Sequence, residues 1–233
     1  MKIAIIPARG SSKRITRKNI KEFNGKPIIA YSIEAAIESN CFDSIIVSTD
    51  DKEIATIAKS YGADTPFIRP SSLSDDYTGI SDVVKHAVHW YNNNIGGLEL
   101  ACCIFATAPF LRPKYIVKGL KELRSLKSAF SFSVTEFPYP IQRAVYIDKK
   151  GLIKMFQPDC FHTRSQDLKQ GFHDAGQFYW GTKKAWMSDQ ELFNSLPTPV
   201  ILPRYLVQDI DTMEDWKSAE IAYKVINYKD KKT

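Results

Sequence analysis

From Arg9 to Lys18 the chain carries five cations in ten residues, Arg9, Lys13, Arg14, Arg17 and Lys18, with no acid among them. Gly10, Ser11 and Ser12 stand in the same stretch and discourage a helix there, so Lys13 and Lys18 are not both lysines of one helical surface. Small residues let backbone N–H groups approach phosphate oxygens, and guanidinium and ammonium groups neutralise their charge. Spacing alone leaves two readings of equal weight: a phosphate-binding loop and a basic solvated loop. GxxxxGK[ST] and GxGxxG are both absent, which argues against P-loop kinases and nicotinamide-dependent dehydrogenases.

A second constellation lies near the other end of the chain, Val207-Gln208-Asp209-Ile210-Asp211-Thr212. Two carboxylates at i and i+2 fall on one side of an extended segment. Magnesium takes hard oxygen ligands and keeps several waters, so one or two carboxylates plus phosphate oxygens suffice for a site. The competing reading, equally weighted, has Asp211 or Thr212 capping the helix that follows. Asp50 and Asp51 pose the same question, and there capping is preferred, with Asp50 and Glu53 forming the box. Among the histidines, His86 and His89 fall in a helical pattern and read as structural. His162 and His173 lie in a polar region, and His173 beside Asp174 is a candidate pocket residue. Cys102 and Cys103 sit inside an apolar run and, with Cys41 and Cys160, form no CxxC pair; all four read as inert thiols.

The elements that must position these groups alternate. Lys2–Ile6 reads as a buried parallel strand, and Pro27 suits the first turn of a helix with Ile29, Ile33 and Ile37 on one stripe. Ser44–Ser48 is a second strand, followed by a helix closed by Gly62. Val83, Val84, Ala87, Val88 and Tyr91 mark another helix. It leads into the strand Leu100–Phe105, a helix opened by Pro113 with Ile116, Leu120 and Leu123 on one side, and the strand Ala129–Val134. This order predicts a three-layer, mostly parallel α/β sheet with right-handed crossovers. Its ligands would bind beyond the carboxyl ends of the strands.

The texture changes near Glu136. Val145–Phe156 reads as a hairpin turning at Asp148–Gly151, Gln157–Asp174 is polar with little periodicity, and Gly176–Gly181 reads as a return strand. Residues 1–135 and 186–233 are thus expected to form a nucleotide-binding core, and residues 136–185 an arm that meets a partner subunit. Phe172, Phe178, Tyr179 and Trp180 read as packing within that arm. A helix from about Thr212 to Asn227 closes the layer, and the tail is Lys-rich.

With 233 residues, 44% hydrophobic and 25% charged, the chain suits one sizeable core and neither disorder nor a fibrous repeat. No apolar run approaches the ~20 residues a membrane span requires, and no secretory pattern opens the chain, so a cytoplasmic enzyme is expected. The net charge of +6 suits nucleic acid or a polyanionic small substrate. The basic run is short and soon followed by Glu22, Glu34 and Glu38, which favours the small substrate over a nucleic-acid-binding module.

The ordered set Ile6–Arg14, Arg17-Lys18-Asn19, Val47–Asp50, Arg69-Pro70, Leu73–Asp76 and Asp209–Asp211 resembles the CMP-sialic acid synthetases. These are the cytidylyltransferases of nine-carbon acidic sugars, and the likeness covers nearly the whole chain. Phe105–Leu111, Ser133–Pro138, Pro140–Arg143, Thr163–Leu168 and His173–Gly181 look most like the branch acting on pseudaminic acid. The resemblance implies a nucleotide-diphospho-sugar transferase fold with a small dimerisation arm, a homodimer, and magnesium as cofactor. It implies CTP and a nonulosonic acid as substrates, with N-acetylneuraminate, legionaminate or 3-deoxy-manno-octulosonate as the alternative sugars. Arg9, Ser12, Lys13, Lys18 and Asn19 would hold the triphosphate and nucleotide, and Arg69 and the segment Asp76–Thr78 would lie by cytosine. Asp209 and Asp211 would hold magnesium, with Arg9, Lys18 and Asp211 acting in catalysis. Arg164 would meet the sugar carboxylate as an Arg–carboxylate fork, and Phe105, Gln142, Arg143 and His173 would complete the sugar pocket. Ser11 replaces a usual Gly and Thr16 a usual Pro, which alters loop stiffness without removing charge. Phe105 stands where sialic acid synthetases carry a sugar-contacting Gln, which favours a more apolar, deoxygenated sugar.

Overall fold

The structure, a computed structural model, describes residues 1–188 and 192–230; the end of the Lys-rich tail lies outside the described residues. The chain opens with strand β1 (Lys2–Pro7), whose loop leads to the short strands β2 (Glu22–Phe23) and β3 (Lys26–Pro27). Helix α1 (Ile28–Glu38), strand β4 (Ser44–Ser48), helix α2 (Lys52–Ser60), helix α3 (Ile80–Asn94) and strand β5 (Leu100–Ile104) follow. Helix α4 (Pro113–Ser125), strand β6 (Phe130–Glu136), the hairpin strands β7 (Val145–Ile147) and β8 (Ile153–Met155), and strand β9 (Phe172–Thr182) come next. Helix α5 (Lys183–Met187), strand β10 (Thr198–Ile201) and helix α6 (Met213–Asp230) close the chain.

Six strands form one sheet in the order β10-β6-β9-β5-β1-β4. β1 pairs in parallel with β4 and β5, β10 pairs in parallel with β6, and β9 runs antiparallel to both β5 and β6. The expected mostly parallel sheet is therefore present. Alternation along β1 sorts its side chains onto two faces. Ala4 and Ile6 join Ile29 and Ile33 of α1, Ile54 and Ala58 of α2, and Ile116 and Leu123 of α4. Ile3 and Ile5 join Val84, Ala87, Val88 and Tyr91 of α3 and Trp186 of α5. These two apolar layers make the three-layer architecture.

Four local expectations change. Pro27 precedes α1 as its N-cap residue rather than opening it, and Ile37, at the end of the expected stripe, is exposed while Ala35 and Ala36 carry the buried face through the last turn. The cap of α2 is Asp51, whose carboxylate accepts from the main-chain N–H of Glu53 and Ile54, each at 2.9 Å. Asp50 is still on the strand side of the turn and cannot reach those donors. The return strand is longer than Gly176–Gly181: after a register shift between Phe132 and Val134, His173 and Asp174 pair with Thr135 and Val134. β9 and α5 therefore belong to the core, and the segment that leaves the layer is 137–171 rather than 136–185. Gly176, at φ +60°, occupies the conformation this irregularity requires.

A third apolar cluster fixes α6. Phe23 packs edge-on against Tyr31, Trp216 and Tyr223, with ring centroids 5.5–5.6 Å apart. The hairpin after the basic loop and the helix after the acidic pair are thereby joined through aromatic faces.

Candidate active site

The loop after β1 leaves the sheet at its carboxyl end, beside the ends of β4 and β5. Ala8 N–H donates to Ser48 O at 2.9 Å, and Gly10 N–H donates to Asp50 Oδ1 at 2.9 Å. Gly10 is required by closeness: a methyl there would stand 2.8 Å from Asp51 Oδ2 and 3.0 Å from Asp51 Cβ. Further along, Arg17 adopts a left-handed φ of 55°. Its guanidinium grips the Asp51 carboxylate with both terminal nitrogens and also reaches Glu53. This contact holds the Asp51 carboxyl below its usual range, with the cap hydrogen bonds assisting. Arg17 is thus a clamp between the loop and α2, whereas the other four cations line a cleft of about 330 Å³.

Of the residues expected at the nucleotide, Arg9, Ser12, Lys13, Lys18, Asn19, Arg69, Asp76 and Thr78 all line this cleft, as does Phe105. Asn19 is buried and donates from Nδ2 to Arg9 O at 2.9 Å, folding the loop back on itself. Arg69 is only 4% exposed. It donates from Nε to Ser74 Oγ at 3.1 Å and stands 3.7 Å from Asp50 Oδ1. Burial lowers its pKa, opposed by Asp50. The segment Asp75–Thr78 is shaped by Asp75, whose Oδ1 accepts from the N–H of Tyr77 at 3.0 Å and of Thr78 at 2.7 Å, and from the Thr78 hydroxyl at 2.6 Å.

The segment before α6, with Asp209 and Asp211, does not line the cleft but meets the basic loop through Arg14 and Lys18. Thr212 Oγ1 accepts from Asp215 N–H at 3.2 Å, while the Asp215 carboxylate accepts from the N–H of Thr212 at 2.7 Å and of Asp211 at 3.1 Å. This reciprocal cap leaves the Asp211 side chain free of the helix terminus. It pairs instead with Arg14 at 2.7 Å and Lys18 at 3.4 Å, and Lys18 also donates to Ile210 O at 2.7 Å. Asp209 is exposed and has no hydrogen bond or ion pair among the described residues. No group of three or more His, Cys, Asp or Glu gathers among the described residues.

The residues expected at the sugar divide. Phe105 is in the cleft, its ring 5.5 Å from that of Tyr179, whose hydroxyl bonds to Asp174. Gln142, Arg143, Arg164 and His173 do not line it. Gln142 donates to Lys169 O at 2.8 Å, Arg143 to Thr163 O at 2.6 Å, and Arg164 to Asp167 at 2.7 Å. His173 Nδ1 lies 2.8 Å from Asp174 O, and its ring packs on Phe137. The remaining candidates take structural places. His86 packs against Phe67 with its pKa lowered by burial, His89 contacts Asn93, and burial pushes the Cys102 and Cys103 thiols up. Sequence reading weighs Asp50 and Asp51 and prefers a cap, without finding that they seat the basic loop through Gly10 and Arg17, and it misses the part Asp75 plays in shaping the turn. An acidic residue immediately after a strand or before a turn was the available signal.

A mostly parallel sheet with a cationic loop at the strand ends, faced by carboxylate-bearing segments, defines a nucleotide-handling α/β protein. The sequence profile described as "Cytidylyltransferase" matches residues 3–171. Over 223 residues, 96% of each chain, the protein is 46% identical to pseudaminic acid cytidylyltransferase of Campylobacter jejuni subsp. jejuni serotype O:23/36. It is 30% identical over 218 residues to N-acylneuraminate cytidylyltransferase of Escherichia coli O18:K1:H7, covering 93% of this chain and 51% of that one. The solved structure of CMP:2-keto-3-deoxy-manno-octonic acid synthetase complexed with CTP superposes with a TM-score of 0.68 over 96% of this chain and 98% of that one; at 16% identity this is a likeness of fold. The chain belongs to the cytidylyltransferase family, as a CTP-dependent nucleotidyltransferase.

Proposed function

We propose that this cytidylyltransferase couples CTP to pseudaminic acid, giving the CMP-sugar and pyrophosphate. The observation that carries the reading is a cleft with Arg9, Lys13, Arg14 and Lys18 at its phosphate end and the Phe105 ring where a sugar would enter. The 46% identity to a pseudaminic acid enzyme supports the choice of sugar.

In the proposed reaction the anomeric hydroxyl bonds to the α-phosphorus of CTP, the bond to the bridging α–β oxygen breaks, and pyrophosphate leaves while the hydroxyl proton passes to water. Such chemistry is mainly positioning and charge neutralisation. Arg9, Lys13 and Lys18 hold phosphate oxygens, Ser12 and Asn19 shape the loop around them, and Arg69 and Thr78 take the cytidine end. Asp209 and Asp211 would hold magnesium: an uncommitted carboxylate two residues from one already facing cations suits a hard cation completed by phosphate and water. When bound, magnesium neutralises phosphate charge and acidifies the attacking hydroxyl. Arg164, paired with Asp167, and Arg143, which donates to Thr163 O, stand in the segment 137–171 outside the cleft lining, so a role for either at the sugar carboxylate requires that segment to be brought over a cleft, as in a homodimer.

The same segment exposes Val145, Ile147, Leu152, Ile153 and Phe156, an apolar surface suited to a second copy of the chain in a homodimer. No described helix is long and apolar enough to cross a membrane, which is compatible with work in the cytoplasm. Mass spectrometry of products from CTP with pseudaminic acid, N-acetylneuraminate and legionaminate tests the assignment. A CMP-sugar formed fastest from either of the latter two would overturn it.

A further inference from the structure

Each cleft cation is already engaged by a carboxylate from outside the loop. Arg14 and Lys18 share Asp211, while Arg9 and Lys13 share Asp76, Arg9 at 2.8 Å. Asp76 differs from Asp211 in its acidic neighbour: Asp75, beside it in the chain, is committed to the turn through Tyr77 and Thr78, whereas Asp209, two residues from Asp211, has no partner among the described residues. It stands on a rigid turn: the Asp75 side chain ties up the N–H groups of Tyr77 and Thr78, and Arg9 also donates to the Asp75 carbonyl at 2.7 Å. The turn therefore presents one carboxylate to the two cations nearest the start of the loop. Lys13 and Arg9 hold the Asp76 carboxyl below its usual range, so it stays ionised at any working pH. A carboxylate and a phosphate oxygen seated against the same two cations repel each other and compete for the same donors.

We propose that Asp76 is an internal competitor of the phosphate chain, holding Arg9 and Lys13 until the nucleotide's phosphates displace it and reclaiming them as pyrophosphate leaves. This rests on the reading of the cleft as the triphosphate site, and it changes what Asp76 does there: the residue opposes phosphate binding instead of contributing to it. CTP, which also engages the cytidine end of the cleft, overcomes the competition. Pyrophosphate, lacking that anchor, is disfavoured, and product release is eased.

The test is Asp76→Asn, a change of charge at constant shape, with inorganic pyrophosphate as the probe in calorimetric titration and as a product inhibitor. Two partly exposed ion pairs lost as competitors predict binding tighter by about three- to tenfold. Weaker binding, the mark of a ligand or of a residue that merely positions Arg9, would overturn the proposal, and so would unchanged binding. In a Lys13→Ala background the gain should shrink to the part owed to Arg9. A gain that persists in full would trace to the general field of the cleft and would also overturn it. Turnover of CTP and pseudaminic acid by the unaltered protein is measured separately. Its failure counts against the proposed reaction, whereas the pyrophosphate titrations bear on Asp76.

Discussion

Lys18 donates its ammonium to the main-chain carbonyl of Ile210, 2.7 Å away across 192 positions of sequence. The bond ties the loop after β1 to the segment before α6, and it sets the lysine 3.4 Å from Asp211. One side chain therefore fixes the loop after β1 against the segment before α6 and, as an ammonium with three donors, keeps one for the phosphate oxygen that the proposed reaction would bring. Lys18→Met should lower kcat/KM for CTP by about 10²- to 10³-fold, the range for removing one preorganised charge-stabilising donor. The lost hydrogen bond costs about 1 kcal/mol of stability, or roughly 2–4 °C in Tm for a chain of this size. Steady-state kinetics beside a thermal melt checks both, and near-native turnover would remove Lys18 from the site.

Gly10 tests how tightly the loop is seated. Its ideal methyl position is 2.8 Å from Asp51 Oδ2, and Asp51 is held by Arg17 and by the first turn of α2, so it cannot swing away freely. Gly10→Ala should displace the loop, weaken CTP binding by at least about tenfold, and cost about 1–3 kcal/mol. Ser11→Ala, one position on, supplies the control: Ser11 is exposed and should bind CTP as the unaltered protein does.

Asp51 links that loop to acid stability. Its folded pKa is depressed, chiefly by the Arg17 contact. The associated stability is therefore fully present above the unfolded carboxylate value of about 3.9 and is lost as pH falls through the folded value. Asp51→Ala should cost about 1–2 kcal/mol at neutral pH as a lost helix cap. Its denaturant midpoint should also change less steeply between about pH 4 and 2 than that of the unaltered protein. Parallel acid profiles would exclude the linkage.

The layered fold was legible because its signals are local. Ile3–Ile6, Ile45–Val47 and Leu100–Ile104 are short apolar runs, and Pro113 and Gly62 mark helix limits where the backbone adopts them. The start of β9 was not legible, because His173 and Asp174 interrupt the apolar pattern and pair with β6 only after a register shift. In the cleft, the residues of one loop could be recognised together, but their partners could not. Asp76 and Asp211 come from separate elements, and nothing in spacing brings either to a given lysine. Asp211 illustrates the limit: metal-ligand and cap readings are equally consistent with Asp-Thr before a helix, and the structure gives the cap to Thr212 and Asp215 while the Asp211 carboxylate faces Arg14 and Lys18.

The exposed hairpin predicts association. Ile147 and Ile153 are each 72% exposed on neighbouring strands, beside Phe156 at 64%. Light scattering should report a dimer, and Ile153→Glu should shift it toward monomer by placing a charge where apolar contact is required. A monomeric unaltered protein at micromolar concentration would exclude the homodimer.

In the proposed reaction Phe105 is the residue expected to choose the sugar. It follows β5, its N–H donates to Gln177 O at 2.9 Å, and its ring meets Tyr179, which is itself held by Asp174. The backbone and ring are thus anchored from β9, so the side chain presents an apolar surface that does not readily turn aside. An apolar surface disfavours a sugar whose hydroxyl would be left without a partner there, whereas an amide supplies one. Phe105→Gln should therefore lower kcat/KM for pseudaminic acid by about tenfold or more and raise that for N-acetylneuraminate relative to it, since one hydrogen bond gained or orphaned is worth about 1–3 kcal/mol. CTP binding should be unchanged, because the proposed phosphate contacts lie on the loop after β1. The ratio of the two sugars' kcat/KM values is the measurement. A fall for both sugars in equal proportion would mean that Phe105 supports the cleft without selecting what enters it.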